Sequence, residues 1–314
     1  MSADAAPTGS PVPRPSPSTG RWGLLGVPTS AAAHGPGLEK GPGALRSAGL
    51  VEALTGAGLS VVDHGDRPVT RWRSARSPGQ PNDVAGATAV LRDAVPAIGA
   101  VLARGELPLV VGGDCTLAVA LVDAAVRAFG DVGLVYVDGG QDLMVPTEHP
   151  EEPILDGMGV AHLLDLPGTV EELAGLGVRR PLLAPQHVCF YGFSDEEEDT
   201  HGRVPSLRLP AEEVAADPVG TAQRATRSVL HGRERFVVHV DVDVLDFFLL
   251  PAADVPTWGR GLSPRTLADA LAALVAAPGF AGMTFVEHNP DRGAEDGSTS
   301  RALVDLLRTA LAPH

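Results

Sequence analysis

The sequence has only two cysteines, Cys115 and Cys189, and two cannot build the disulfide framework of a small secreted domain. The chain does not open with a basic segment, an apolar run and a small-residue cleavage site, which is the pattern of a secretory leader. The scarcity of cysteine and the missing leader together favour a reducing compartment. We therefore expect a cytoplasmic protein.

Aromatic residues, positive charge and long apolar runs are also scarce. Phe, Trp and Tyr make up 4% of the chain, too little for the stacked rings that hold single-stranded nucleic acid. Asp and Glu outnumber Lys and Arg by 39 to 24, and the net charge of −15 has the wrong sign for binding nucleic acid or an anionic membrane. No run of 18 apolar residues is free of charged, Gly or Pro residues, so the sequence predicts no membrane span.

The chain does contain a regular alternation of short apolar segments and longer segments of helical period. Hydrophobic residues make up 44% of the 314 residues, enough for a large core. Residues 1–20 are rich in Pro and Ser and lack an apolar period, so we expect a disordered tail followed by one domain over 21–314. Apolar strands separated by helices predict a three-layer αβα fold around a single parallel sheet. The predicted helices cover residues 42–57, 84–104, 116–129, 263–276 and 298–311.

Aspartates follow three of the predicted strands, at the sheet edge where α/β proteins place their functional sites. Asp138 and Asp142 flank a Gly-Gly turn, and Asp241 and Asp243 are two residues apart, so that on a strand they face the same way. Carboxylates this close need a cation, a proton or an arginine, and a divalent metal ion meets that need most simply. The alternative, that an aspartate only caps the helix after its strand, stays open, above all for Asp114 and Asp246.

Three segments resemble the metal-binding motifs of the arginase and agmatinase (ureohydrolase) family. They are GGDCT at 112–116, DGGQD at 138–142 and DVDVLD at 241–246, beside the family's G-G-D-H, D-[AG]-H-x-D and D-x-D-x-x-D. EKGPGALRSAGL at 39–50 and VEHNPD at 286–291 resemble further family segments in the same order. The resemblance implies an arginase-like sheet of about eight strands, a pair of Mn²⁺ ions, hydrolysis at a guanidinium-type carbon, and a homo-oligomer, either a trimer or a hexamer.

The sequence departs from the family at both metal-ligand histidines, which correspond here to Cys115 and Gly140. Carried over position by position, the resemblance assigns one ion to Cys115, Asp138, Asp142 and Asp241, and a second ion to Asp138, Asp241 and Asp243. A deprotonated thiol can bind a metal, whereas glycine offers no donor atom. We therefore expect one divalent ion rather than two, Mn²⁺ by family resemblance, and the binding of no metal at all stays an open alternative.

Positions that contact substrate in the family are also changed. Met144 corresponds to the asparagine that binds an amino-acid carboxylate, so arginine is not the expected substrate. Asp156 corresponds to the histidine that assists proton transfer in arginases, and Glu287 keeps the carboxylate that holds the guanidinium. The resemblance thus implies catalytic roles for Asp156 and Glu287. It implies a small cationic substrate that contacts Met144, Asp195, Glu197 and Glu287. For Asp195 and Glu197, a solvated helix start remains the alternative.

Three interpretations of Cys115 remain open from the sequence: a metal ligand, an inert packed residue, and a nucleophile at a helix N-terminus. The nucleophile lacks a base, because no histidine is near Cys115 in sequence. His149, His239 and His288 lie near the motifs, but each is more often a structural histidine, and none is included in the predicted site. Cys189, in the middle of an apolar strand, is predicted to be a core residue.

Two functions are compatible with these residues. The first is a metal-dependent hydrolase of a C–N bond in a guanidino or amidine substrate, which the four aspartates favour. The second is a protein of the same fold without catalytic metal that acts as a binding or assembly partner. Gly140 and Cys115 favour the second, because they replace the two histidines.

Overall fold

The computed structural model describes residues 20–75, 80–148, 154–194 and 204–313, so the predicted tail lies outside the described residues except for Gly20. Eight strands in these residues form one sheet, in which every strand pairing is parallel. The strands are β1 (Arg21–Val27), β2 (Ser60–Asp66), β3 (Glu106–Gly112), β4 (Val132–Val137), β5 (Val188–Tyr191), β6 (Leu207–Leu209), β7 (Arg235–Asp241) and β8 (Phe280–Val286). The predicted α/β class with one parallel sheet is confirmed.

The strand order is β2-β1-β3-β8-β7-β4-β5-β6, which places the last two strands of the chain in the middle of the sheet. β3, β8, β7 and β4 are therefore neighbours, and their side chains are buried almost throughout. Because all four strands are parallel, the loops at their carboxyl ends meet at one edge of the sheet although they are distant in sequence. These loops contain the residues of all three predicted metal motifs.

Ten α-helices in the described residues cover the two faces of the sheet. One face packs against α1, α2 and α7 to α10, in a core that includes Leu109 and Val135. The other face packs against α3 to α6, in a core that includes Val110 and Leu134. Consecutive residues of one strand thus lie in opposite cores. The helices are α1 (Gly41–Ser47), α2 (Leu50–Gly56), α3 (Val84–Ala103), α4 (Leu117–Phe129), α5 (Gly159–Leu164), α6 (Glu171–Ala174), α7 (Ala211–Ala216), α8 (Pro218–Val229), α9 (Pro264–Ala276) and α10 (Ser298–Leu311).

Four of the five predicted helices agree with the structure to within one residue, and the fifth does not. The prediction of one helix over 42–57 was wrong, because Gly49 adopts a φ of 86°, in the left-handed region, and separates α1 from α2. α5 to α8 and β6 were not predicted. In α8 the buried positions include Ala222, Ala225 and Thr226, so the helix lacks the strong aliphatic period on which sequence analysis depends.

Helix α3 bears on the prediction that no segment spans a membrane. Among the described residues, its 20 residues and hydropathy of 1.4 would let it cross a bilayer by length and composition. It contains Arg92, Asp93 and Pro96, and Asp93 forms an ion pair with Arg67 at 2.6 Å. Its buried side chains contact α4 and the sheet. One such helix is weak support for a membrane span, because the core helix of an α/β domain has the same composition.

Candidate active site

A cavity of about 230 Å³ opens at the carboxyl edge of β3, β8, β7 and β4. It is lined by the Cys115 thiol and by six acidic side chains. The basic residues in the described part of its wall are His34 and Arg260. The predicted site residues that follow these four strands therefore meet in one place. Asp195, Glu197 and His149 lie outside the described residues. The acids are Asp138, Asp142, Asp156, Asp241, Asp243 and Glu287.

The two residues that follow the glycines at the end of β3 have different surroundings. Asp114 accepts hydrogen bonds from the Thr29 hydroxyl (3.4 Å), the Ala32 N–H (3.1 Å) and the Thr116 hydroxyl. It is absent from the described wall of the cavity and instead ties the segment after β1 to the start of α4. Cys115 lines the cavity although it is 2% exposed.

The Cys115 thiol contacts polar groups from two other strands. Its Sγ donates a hydrogen bond to Asp241 Oδ2 at 2.8 Å and lies 3.8 Å from Asp138 Oδ2. His239 Nε2 is 3.3 Å from the same sulfur. The structure therefore places beside Cys115 the histidine that the sequence did not show near it.

The Gly-Gly turn after β4 separates Asp138 from Asp142. Asp138 is 2% exposed, and its Oδ1 accepts the Gly140 N–H at 2.6 Å. Asp142 has a φ of 50°. Its Oδ2 accepts a hydrogen bond from the hydroxyl group of Tyr136, a residue of β4. Gly140 lines the cavity with no side chain, so this position brings no ligand atom to a metal.

Asp241 and Asp243 come together for a reason other than the predicted one. The prediction that both lie on one strand face was wrong, because β7 ends at Asp241 and residues 242–244 form a 3₁₀ turn. Asp241 Oδ1 caps this turn by accepting the Asp243 N–H at 2.6 Å. Asp243 Oδ1 in turn accepts the Gly139 N–H at 2.8 Å. The oxygens of Asp138, Asp241 and Asp243 still lie within 4.8 Å of one another.

Glu287 and Asp156 form a second acidic pair in the cavity. Glu287 follows β8 with a φ of 65°, in the left-handed region that non-glycine residues rarely adopt. A carboxylate oxygen of Glu287 lies within 4.8 Å of one of Asp156, so a proton on either acid relieves the repulsion between them. Asp156 Oδ1 accepts the Cys115 N–H at 2.7 Å. Glu287 Oε1 is buried and has no hydrogen-bond partner among the described residues.

Burial and mutual repulsion disfavour negative charge in this cavity. Burial raises the pKa of Asp138 and of Asp241 well above the usual range, and the charge of Asp243 raises both further. Burial and Asp156 raise the pKa of Glu287 in the same way, and the pKa of Asp156 itself rises to about 8. A bound cation would relieve this repulsion, which makes the cavity a site for positive charge.

Met144 and an exposed aromatic group lie at the outer part of the cavity. The Met144 side chain is half-buried and packs against Gly157. A Cβ atom added at Gly157 would lie 2.1 Å from the Met144 Cε. Val255 and Trp258 line the mouth and are 48% and 54% exposed. Trp258 contacts the Phe248 ring, which is itself exposed, at 5.2 Å between centroids. The mouth is thus largely apolar, while the floor is acidic.

Comparison with known proteins identifies the family of this chain. The sequence model of the Arginase family matches residues 21–312. The chain belongs to the arginase family. Arginase-1 of Homo sapiens is 29% identical over 300 residues, which cover 92% of this chain and 91% of that protein.

Solved arginase-family structures show the same fold. The structure of arginase from Bacillus caldovelox has a TM-score of 0.82 and 23% identity, covering 93% of this chain and 98% of that one. The structure of formimidoylglutamase from Bacillus subtilis has a TM-score of 0.71 and 19% identity, covering 99% and 94%. The predicted arginase-like fold and family are confirmed.

The cavity brings together side chains that could hold a divalent metal ion. Three groups of residues place their ligand atoms within 4.8 Å of one another in the described residues. Two of these groups include Cys115, and the third consists only of carboxylates. With Gly140 in place of a histidine, the carboxylate group has no nitrogen ligand. The groups are Cys115, Asp138 and His239; Cys115, Asp156 and Glu287; and Asp138, Asp241 and Asp243.

Sequence reasoning left out three side chains that hold the site together. His239 was weighed and not included, although its position two residues before Asp241 was a usable signal. Tyr136 stacks on the His239 ring and donates to Asp142, and Thr284 contacts the other imidazole nitrogen at 2.7 Å. Tyr136 and Thr284 lie inside apolar strands, where the sequence gives no sign that a polar group serves a site.

Proposed function

We propose that this protein is a metal-dependent hydrolase that cleaves a C–N bond in a small cationic substrate of the amidine or guanidine type. Membership of the arginase family supports the reaction class, and formimidoylglutamase, a structural relative, is named for an amidine-type group. The acidic floor of the cavity supports a cationic reacting group.

The observation that carries the proposal is the Glu287 carboxyl group. Its Oε1 is buried, unpartnered among the described residues, and part of a cavity-lining side chain that is only 5% exposed. A buried acceptor without a partner costs about 1–3 kcal/mol, and the N–H of a bound amidinium would satisfy it. The left-handed backbone at Glu287 is the kind of local strain that functional sites retain.

Glu287 and Asp156 would orient the substrate and supply a proton. Glu287 would accept an N–H of the amidinium, while Asp156, whose pKa burial raises to about 8, would give a proton to the leaving nitrogen. Cys115, Asp138 and Asp241 line the position where a divalent ion would be held, and that ion would supply Lewis acidity. Two further carboxylates beside that position are fixed by hydrogen bonds. Asp142 accepts one from the Tyr136 hydroxyl, and Asp243 accepts one from the Gly139 N–H.

The outer cavity supports a substrate other than arginine. Met144 provides no hydrogen bond for an amino-acid carboxylate, and its side chain narrows the space above Gly157. Val255 and Trp258 offer apolar surface at the mouth. We therefore expect agmatine or an aryl-substituted guanidine, neither of which has an amino-acid carboxylate, to be hydrolysed faster than arginine.

The test is a hydrolysis assay with metal-loaded protein on agmatine, an aryl-substituted guanidine, formimidoylglutamate and arginine, measuring release of ammonia, urea or formamide. We expect turnover of at least one compound, and a loss of at least about 100-fold in kcat in Glu287→Gln with an unchanged melting temperature. Glu106→Gln is the matched control, because Glu106 is equally buried but lies at the amino end of β3, paired with His64. If no compound is hydrolysed, the alternative of a non-catalytic binding protein replaces the proposal.

A further inference from the structure

His239 is held in a fixed orientation beside Cys115. It is fully buried on β7, and the Tyr136 ring stacks on it with 4.4 Å between centroids and 14° between planes. Nδ1 lies 2.7 Å from the Thr284 hydroxyl on β8. When the Nδ1–H donates to that hydroxyl, the lone pair of Nε2 faces the Cys115 sulfur. A metal-ligating histidine usually donates the N–H of one ring nitrogen to a protein group and binds the metal through the other, unprotonated nitrogen.

The donor atoms of Cys115, His239 and Asp138 are spaced as ligands of one small ion. Sγ is 3.3 Å from His239 Nε2 and 3.8 Å from Asp138 Oδ2. A tetrahedral zinc ion, with bonds of about 2.3 Å to sulfur and about 2.0 Å to nitrogen or oxygen, separates its ligands by roughly 3.5 Å. The two observed distances lie on either side of that value. Asp241 Oδ2, at 2.8 Å from Sγ, lies closer than that value and accepts a hydrogen bond from the thiol.

The Gly140 side of the cluster offers less to an ion. There, Asp138 Oδ1 and Asp241 Oδ1 already accept the N–H groups of Gly140 and Asp243. The Oδ2 atoms of both aspartates face the sulfur instead. The coordinating atoms are therefore directed to a single position next to Cys115.

We propose that Cys115, His239 and Asp138 bind a single Zn²⁺ ion in preference to Mn²⁺. Thiolate and imidazole ligands favour zinc, whereas Mn²⁺ prefers oxygen ligands and stands below zinc in affinity for such sites. Binding replaces the S–H bond of Cys115 with a metal–sulfur bond and releases the thiol proton. The unpartnered Glu287 Oε1, in a residue whose carboxylate lies within 4.8 Å of the same sulfur, independently indicates that a ligand belongs in this cavity. The inference names the ion of the proposed hydrolase and so rests on the proposed function.

The experiment is a Co²⁺ titration of chelator-treated, full-length protein, followed by absorption spectroscopy. We expect saturation at one equivalent, ligand-field bands of tetrahedral intensity and a near-ultraviolet band from thiolate-to-cobalt charge transfer. One equivalent of Zn²⁺ should abolish these bands, and the same amount of Mn²⁺ should leave them unchanged.

Variants connect the spectrum to individual ligands. Cys115→Ser should lose the charge-transfer band, while Cys189→Ser, a control at the other buried cysteine, should keep it. His239→Gln should weaken binding, and Thr284→Val, which removes only the partner of Nδ1, should weaken it about 10- to 100-fold. Thr284→Val keeps the test decisive where His239→Gln fails to fold, because valine has nearly the shape of threonine.

Three results would overturn the inference: a cobalt spectrum without the charge-transfer band, two bound Mn²⁺ ions at saturation, or rapid alkylation of Cys115 in a protein that binds no metal. The last result would favour Cys115 as a nucleophile with His239 as its base. Binding of one zinc ion without hydrolysis of any amidine would refute the proposed function and leave this inference standing. Hydrolysis by a protein loaded with two Mn²⁺ ions would support the proposed function and refute this inference.

Discussion

His162 in α5 supports the segment that carries Asp156 through two hydrogen bonds. Its Nδ1–H donates to the Met158 carbonyl at 2.6 Å, and its Nε2 accepts the Val170 N–H at 3.2 Å. Both bonds exist together only in the neutral ring, because Nε2 must keep its lone pair. Burial accordingly lowers the pKa of His162 from 6.5 to about 4. We therefore expect this histidine to make the folded protein sensitive to acid.

The magnitude follows from the difference between the two pKa values. The unfolded chain takes up a proton on His162 as the pH falls through 6.5, whereas the folded chain does so only near pH 4. The contribution of the neutral His162 ring to the free energy of unfolding is thus fully present above pH 6.5. It is lost progressively as the pH falls to about 4. At 1.36 kcal/mol for each pH unit, the loss amounts to about 3 kcal/mol.

The measurement is the free energy of unfolding from urea denaturation of chelator-treated protein between pH 7.5 and pH 4. His162→Gln removes the titrating ring and should be less stable than the parent at pH 7.5, yet lose about 3 kcal/mol less than the parent on acidification. His231→Gln, at an exposed histidine between α8 and β7, should follow the parent. Equal pH dependence in His162→Gln and the parent would refute the reasoning.

Two further predictions concern the metal positions and the tail. The double variant Gly140→His and Cys115→His should bind more Mn²⁺ than the parent in calorimetric titration. The reason is that it supplies an imidazole at both positions where the resembling family has one. A folded double variant that binds no more Mn²⁺ than the parent would contradict the placement of the aspartates. Deletion of residues 1–20, which have no apolar period in the sequence, should change the melting temperature by less than about 2 °C, and a larger loss, or loss of an oligomer, would show that the tail packs.

The sequence predicted the central strands well because they are apolar almost throughout and end in recognisable polar motifs. Strand β1, for example, is buried at every position from Trp22 to Val27. α10 was predicted over the same residues, since Leu303, Leu307 and Leu311 repeat at helical spacing on its buried face. The order of the strands was not predicted, because apolar runs do not specify their neighbours in a sheet.

The pairing of Cys115 with His239 could not be read from the sequence. The two residues are 124 positions apart, and β8 lies between their strands in the sheet. Their proximity depends on strand order and register, in which His239 lies opposite Thr284 of β8. The same limit explains the error at Asp241 and Asp243, where an alternating pattern predicts a continuing strand but the Asp241 side chain caps a turn.

Metal content tests the central claim of a single thiolate-containing metal site most directly. It is measured by elemental analysis of protein purified without chelator, beside Cys115→Ser prepared in the same way. The account predicts close to one equivalent of zinc in the parent and a large reduction in the variant, with little manganese in either. Two equivalents of manganese in the parent, unchanged in Cys115→Ser, would contradict it.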